Sequence, residues 1–212
     1  PDHSPSPSER ARLVLPLTHR AAMAPSLTGG KGSNLARLNA VAKGFVVPRG
    51  LVVTVASFEE HVQHHGELQA KIALLSSPGL SLDRATLIGD AIRTCFETCE
   101  LSPTLRREID EQLLKSDDDV GGSAPRLVVR SSAVGEDGVE LSSAGQLESF
   151  IDVAQDDVAK MILRCWASNY RREVISYRRQ HGQILNPPVA VIVQQLVDNA
   201  VSGVLFTCDP VR

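Results

Sequence analysis

An α+β fold is predicted for this chain by three features of its 212 residues. Helix-spaced apolar residues dominate the first half, and short β-branched runs flank one long amphipathic segment in the second. Strands and helices do not alternate as a parallel sheet requires. The composition, 42% hydrophobic and 22% charged, suffices to bury a full core as one large domain or two small lobes.

Each element follows in order. Pro1 to Arg10 is polar and Pro/Ser-rich. It lacks the apolar stretch of a signal peptide, and a disordered arm is expected over 1–10. Residues 11–17 are predicted as a first strand. Thr28-Gly29-Gly30-Lys31-Gly32 then leads into a helix over 33–41, where Leu35, Leu38 and Val41 recur at helical spacing. Gly44 to Pro48 ends that helix and starts a strand through residues 51–54. Helices are predicted at 56–74, 83–98 and 103–115, the last with Ser102 as N-cap and Pro103 at its first position.

Ser116 to Pro125 holds three acids and two glycines and contributes nothing to a core. It marks a linker between an N-terminal helix-rich lobe (11–115) and a β-hairpin lobe (126–212). Strands are predicted at 126–131, 147–153, 189–197 and 202–207, the last two joined by Asp198 to Val201. One helix is predicted over 156–180, with acids Asp156 and Asp157 in its first turn and Arg178 and Arg179 in its last. Gly182 follows as a stop.

Net charge is −3, which argues against a nucleic-acid footprint spread over the surface. No apolar stretch approaches the ~20 residues of a membrane span. Cys95, Cys99, Cys165 and Cys208 lack metal-site spacing and are expected as free thiols, which fits a cytoplasmic compartment. His61 and His65 stand at i, i+4, a spacing that two metal ligands can share. No carboxylate or cysteine is arranged with them in sequence, so surface histidines and no metal site are expected. Arg171, Arg172, Arg178, Arg179 and His181 are expected to form a solvated basic face.

Three segments carry candidate chemistry. Gly29-Gly30-Lys31-Gly32 suits an anion, since glycines admit close backbone approach and lysine adds charge; a glycine-rich turn with a solvated lysine is the competing reading. Arg130 ends an apolar strand beside Ser131 and Ser132, where its guanidinium can clamp phosphate oxygens or form an ion pair with Glu136 or Asp137. The strand at Val189 to Val193 turns polar at Gln194-Gln195 and continues through Leu196-Val197 to Asp198. Such a connector, with free backbone donors and acceptors, can hold a purine, with Leu196 on the ring and Asp198 at a ribose hydroxyl. A strand simply leaving the core is the alternative.

Three collinear stretches resemble one family: Gly29-Gly30-Lys31-Gly32-Ser33-Asn34-Leu35, then Val129-Arg130-Ser131-Ser132-Ala133 through Ser143-Ala144-Gly145-Gln146, then Val193 to Val197 with Ser202 to Pro210. The chain is similar to the N-terminal nucleotide-binding domain of the pyruvate phosphate dikinase and phosphoenolpyruvate synthase family, which includes rifampicin phosphotransferase. Cys165-Trp166-Ala167-Ser168 and Tyr177 to Gly182 look like the synthase and rifampicin phosphotransferase branch. The loop 135–142 lacks a proline frequent in the family, and Cys208 stands where arginine is common.

The resemblance implies an ATP-grasp fold, with Lys31 and Arg130 as catalytic residues on the ATP phosphates and Gly29, Gly30, Gly32, Ser131 and Ser132 beside them. Gly145 and Gln146 would shape the loop over the phosphates, and Gln194, Gln195, Leu196, Val197 and Asp198 would receive adenine and ribose. It implies Mg²⁺ held by residues beyond Arg212, and downstream phosphohistidine and acceptor-binding domains as partners. The expected activity of the parent is transfer of a phosphoryl group from ATP, through histidine, to pyruvate or a small hydroxylated acceptor; this segment alone is expected to be inactive. A non-catalytic nucleotide-binding module and a glucan dikinase-like enzyme are the alternatives.

Overall fold

The structure is a computed structural model that describes residues 5–114, 126–134, 147–198 and 201–203. Among the described residues it is an α+β molecule built on one five-stranded antiparallel sheet. The strands are β1 (Val14–Pro16), β2 (Gly50–Val53), β3 (Leu127–Ala133), β4 (Ser149–Val153) and β5 (Val189–Gln195), in spatial order β1-β2-β5-β3-β4. The helices are α1 (Pro7–Arg10), α2 (Pro25–Val41), α3 (Val55–His64), α4 (Gly66–Leu75), α5 (Leu82–Thr98), α6 (Pro103–Leu114), α7 (Val158–Ser168) and α8 (Arg172–Gln180).

β5 is all apolar from Val189 to Val193 because it is the central strand, buried on both faces. One face, carrying Leu51, Val53, Val129, Val191 and Val193, packs on a core that includes Phe58, Phe96, Ile109 and Trp166 from the helices. The other face, with Val52, Ala190 and Ile192, packs on Leu17, Val55 and Leu35 of α2. At the far edge the register slips between β3 and β4, and Asp152 takes φ 64° where Arg126 pairs with its carboxylate. An extra residue in one strand of a pair is accommodated by such a bulge.

Several expectations are corrected. The segments expected as separate lobes share this sheet: β1 and β2 from the first flank β5 from the second, and one core draws on both. Residues 7–10 form a helical turn closed by a capping box between Ser6 and Glu9, so the segment expected as disordered is ordered from residue 5 onward. The helix expected over 56–74 breaks at His65 into α3 and α4. The helix expected over 156–180 breaks at 169–171, where Tyr170 is fully buried on Phe96. Gly89 of α5 permits that corner: a Cβ there would sit 2.6 Å from the Tyr170 carbonyl oxygen.

The expected basic face is dispersed by the same corner. Arg178 is buried and donates to the Asn169 side-chain oxygen at 2.6 Å and to the Asn169 and Leu185 carbonyls. Arg171 pairs with Glu148. The strand expected at 202–207 and the linker at 116–125 lie largely or wholly outside the described residues.

Candidate functional site

Strand alternation decides which way the Arg130 segment faces. Arg130 pairs with Ile192 and Ser132 with Ala190, so both lie on the sheet face covered by α2. Ser131 points the other way, where its hydroxyl donates to the Glu148 carbonyl at 3.3 Å. The two serines therefore separate: one shares a face with Arg130 and the other does not.

Ser132 is fully buried, and its hydroxyl makes two bonds to α2. It donates to the Thr28 carbonyl at 2.6 Å and accepts the Gly32 N–H at 3.0 Å. Gly29 lies between these two anchor points with φ 69° and ψ 178°, interrupting the helix. A Cβ at Gly29 would fall 2.2 Å from the Ser132 carbonyl oxygen, so only glycine allows the approach. The Gly-Gly-Lys-Gly stretch is thus not a loop ahead of a helix, as expected, but a break inside α2. The helix resumes at Gly30, and Thr28 anchors its first turn by donating to the Ala22 carbonyl at 2.7 Å.

Lys31 stands one residue from this Ser132 clasp and is half-buried. Arg130 lies two residues back along β3, roughly 7 Å away on the same face. Its Nε is buried and has no hydrogen-bond partner among the described residues. An unsatisfied guanidinium nitrogen is costly to bury, and a phosphate oxygen is the acceptor its planar fork suits. Glu136 and Asp137, the competing partners, lie outside the described residues, as do Gly145 and Gln146.

The connector after β5 differs from expectation. Gln194 and Gln195 point to opposite faces, Gln194 to the Arg130 side. The Gln194 amide donates to the Pro48 carbonyl at 2.9 Å. The Gln195 and Leu196 N–H groups, expected to be free for a purine, donate to the Arg49 and Arg126 carbonyls at 2.9 and 2.8 Å. They extend the sheet instead. Beyond them, Val197 and Asp198 are exposed. A cavity of about 420 Å³ opens at this end of the sheet, lined by Gln195 with Pro16, Pro48, Arg49 and Leu113.

The histidines are also placed differently. His61 is buried at 4% exposure against Phe96 and Trp166, and Cys99 lies near it, so neither the surface setting nor the lack of a cysteine neighbour holds. Sequence reading missed this group because Cys99 lies 34 positions beyond His65. It also missed the Ser132 clasp, although the i, i+2 spacing to Arg130 carried that signal.

The AMP/ATP-binding domain of pyruvate phosphate dikinase matches residues 25–212. The chain belongs to this family. Two rifampicin phosphotransferases are similar to it, from Streptomyces sviceus (34% identity, 94% of this chain, 23% of the relative) and Bacillus cereus (31%, 87% and 21%). A phosphoenolpyruvate synthase from Aeropyrum pernix is 32% identical over 94% of this chain and 25% of its own length. The chain thus spans a quarter or less of these relatives. Within this dikinase-family domain, β1 lies ahead of the matched stretch yet completes the sheet. Among the described residues no helix is long and apolar enough to cross a membrane.

Proposed function

We propose that this chain is the ATP-binding, ATP-grasp-type segment of a phosphotransferase, with Lys31 and Arg130 neutralising the triphosphate. The observation that carries it is the buried Arg130 Nε with no described partner, on the face where Ser132 holds the Gly29–Gly32 break. Phosphoryl transfer asks a protein chiefly for positioning and charge neutralisation, which this pair supplies. Ser132 acts here by setting where Lys31 stands. Adenine and ribose are assigned to the exposed Val197 and Asp198, past the last sheet bond, and to the half-buried side chain of Leu196, whose N–H makes that bond. Gly145 and Gln146 are assigned to the loop over the phosphates.

Mg²⁺ is assigned to ligands beyond residue 212, where it would neutralise charge on the phosphates alongside Lys31 and Arg130. The reaction of the longer protein is assigned as transfer from ATP through a histidine to pyruvate or a small hydroxylated acceptor; the similarity to a rifampicin phosphotransferase and a phosphoenolpyruvate synthase supports the phosphotransfer part of this reading. A cytoplasmic setting accords with this ATP chemistry.

Calorimetric titration of the complete natural protein with ATP and Mg²⁺ tests the assignment. Arg130→Ala and Lys31→Ala are each expected to weaken binding about tenfold or more, as loss of a charge-assisted hydrogen bond implies. Unchanged affinity in both variants overturns the site.

A further inference from the structure

α3 and the end of α5 assemble a donor set unrelated to the Arg130 face. His61 and His65 stand one turn apart, His65 as the C-cap of α3, and Cys99 is the C-cap of α5. One ring nitrogen from each histidine and the Cys99 Sγ all lie within 4.8 Å of one another. His61 is 4% exposed, and its Nε2 is buried without a hydrogen-bond partner among the described residues. A buried polar atom left unsatisfied asks for a ligand or a reason.

His65 adds a second indication. Its Nδ1 lies 2.8 Å from the His61 carbonyl oxygen. A carbonyl only accepts, so Nδ1 carries the proton and Nε2 presents its lone pair. Ligating histidines are commonly oriented in this way, with the second nitrogen held by a backbone carbonyl.

We propose that His61, His65 and Cys99 form a Zn²⁺ site that clamps the end of α3 to the end of α5, with water in the fourth position. Two imidazoles and a thiolate suit zinc, whereas Mg²⁺ and Ca²⁺ require oxygen donors. Zinc–ligand lengths imply donor separations of roughly 3.3–3.6 Å around a tetrahedral ion. The half-exposed His65 and Cys99 side chains close the difference by small rotations and leave an entry path from solvent. On binding, the Cys99 S–H bond breaks, an S–Zn bond forms and the proton passes to solvent. No electron is transferred. The role is structural: the ion would satisfy His61 Nε2 and tie two helix ends that no covalent bond joins.

The complete natural protein, stripped with a chelator, is titrated with Zn²⁺ against a chromophoric chelator and separately with Co²⁺ as a spectroscopic probe. One equivalent of Zn²⁺ per chain should disappear in Cys99→Ser, together with a near-ultraviolet thiolate-to-cobalt charge-transfer band. His65→Gln should weaken binding at least about tenfold. His64→Gln, whose exposed ring bonds the Glu60 carbonyl, should bind as the wild type does. Circular dichroism verifies that each variant is folded. Unaltered stoichiometry and band in both Cys99→Ser and His65→Gln, or no saturable equivalent at micromolar Zn²⁺, overturns the site.

Discussion

Burial holds the His61 imidazole neutral. Desolvation against Phe96 and Trp166, reinforced by the nearby His65 and His64, lowers its pKa from 6.5 to about 4. Between those values the unfolded chain binds the proton that the folded chain refuses, so stability rises with pH across that window. The contribution is complete above about 6.5 and is lost as pH falls toward about 4. In the metal-free protein, urea midpoints taken from pH 7 down to pH 4.5 should therefore decline, and His61→Phe should flatten that decline. An identical slope in the variant would contradict the assignment of this titration to His61. Cys165 is held protonated for the same reason, burial pushing its thiol up to about 12, which makes it an inert core residue.

The junction of α2 with β3 is where an element controls the candidate site. Ser132 links Thr28 and Gly32 across the Gly29 break, and its loss leaves a buried carbonyl and a buried N–H unpaired. Ser132→Ala should cost about 2–3 kcal/mol in urea unfolding. Gly29→Ala should cost at least as much, because its Cβ meets backbone and its φ is positive. Both should also weaken ATP binding without removing a phosphate contact, because Lys31 moves with the break. Wild-type ATP affinity in a folded Ser132→Ala protein would show that the clasp does not position Lys31. The α7–α8 corner shows the same logic without a ligand: Arg178, Asn169 and Tyr170 hold the turn by burying a cation on oxygen acceptors.

At the scale of the whole molecule, the stretch before residue 25 belongs to the domain even though the family match begins there. Val14, Leu15 and Leu17 are buried, and the Thr54 and Ser57 hydroxyls donate to the Arg12 and Leu13 carbonyls at 2.6 Å. Burying three such side chains contributes roughly 5 kcal/mol, against about 5–15 kcal/mol of total stability for a domain. Deleting residues 1–24 should give a protein with broadened or absent cooperative melting and exposed apolar surface, read by calorimetry and dye binding. A sharp wild-type transition in the truncated protein would mean that β1 is dispensable.

What was legible in the sequence was local. The Ser102–Pro103 start of α6, the apolar β5 run and the Arg130-Ser131-Ser132 strand end are set by residue type and short spacing, which act over a few positions. They sufficed for the α+β class and for singling out Arg130 as a strand-end candidate. Tertiary packing decided the rest. It broke two predicted helices, merged the expected lobes into one sheet, turned Ser131 away from Ser132 and spent the Gln195 and Leu196 donors on sheet bonds. It also brought Cys99 to His61. These outcomes depend on which distant surfaces must be buried together, and periodicity along the chain carries no record of that.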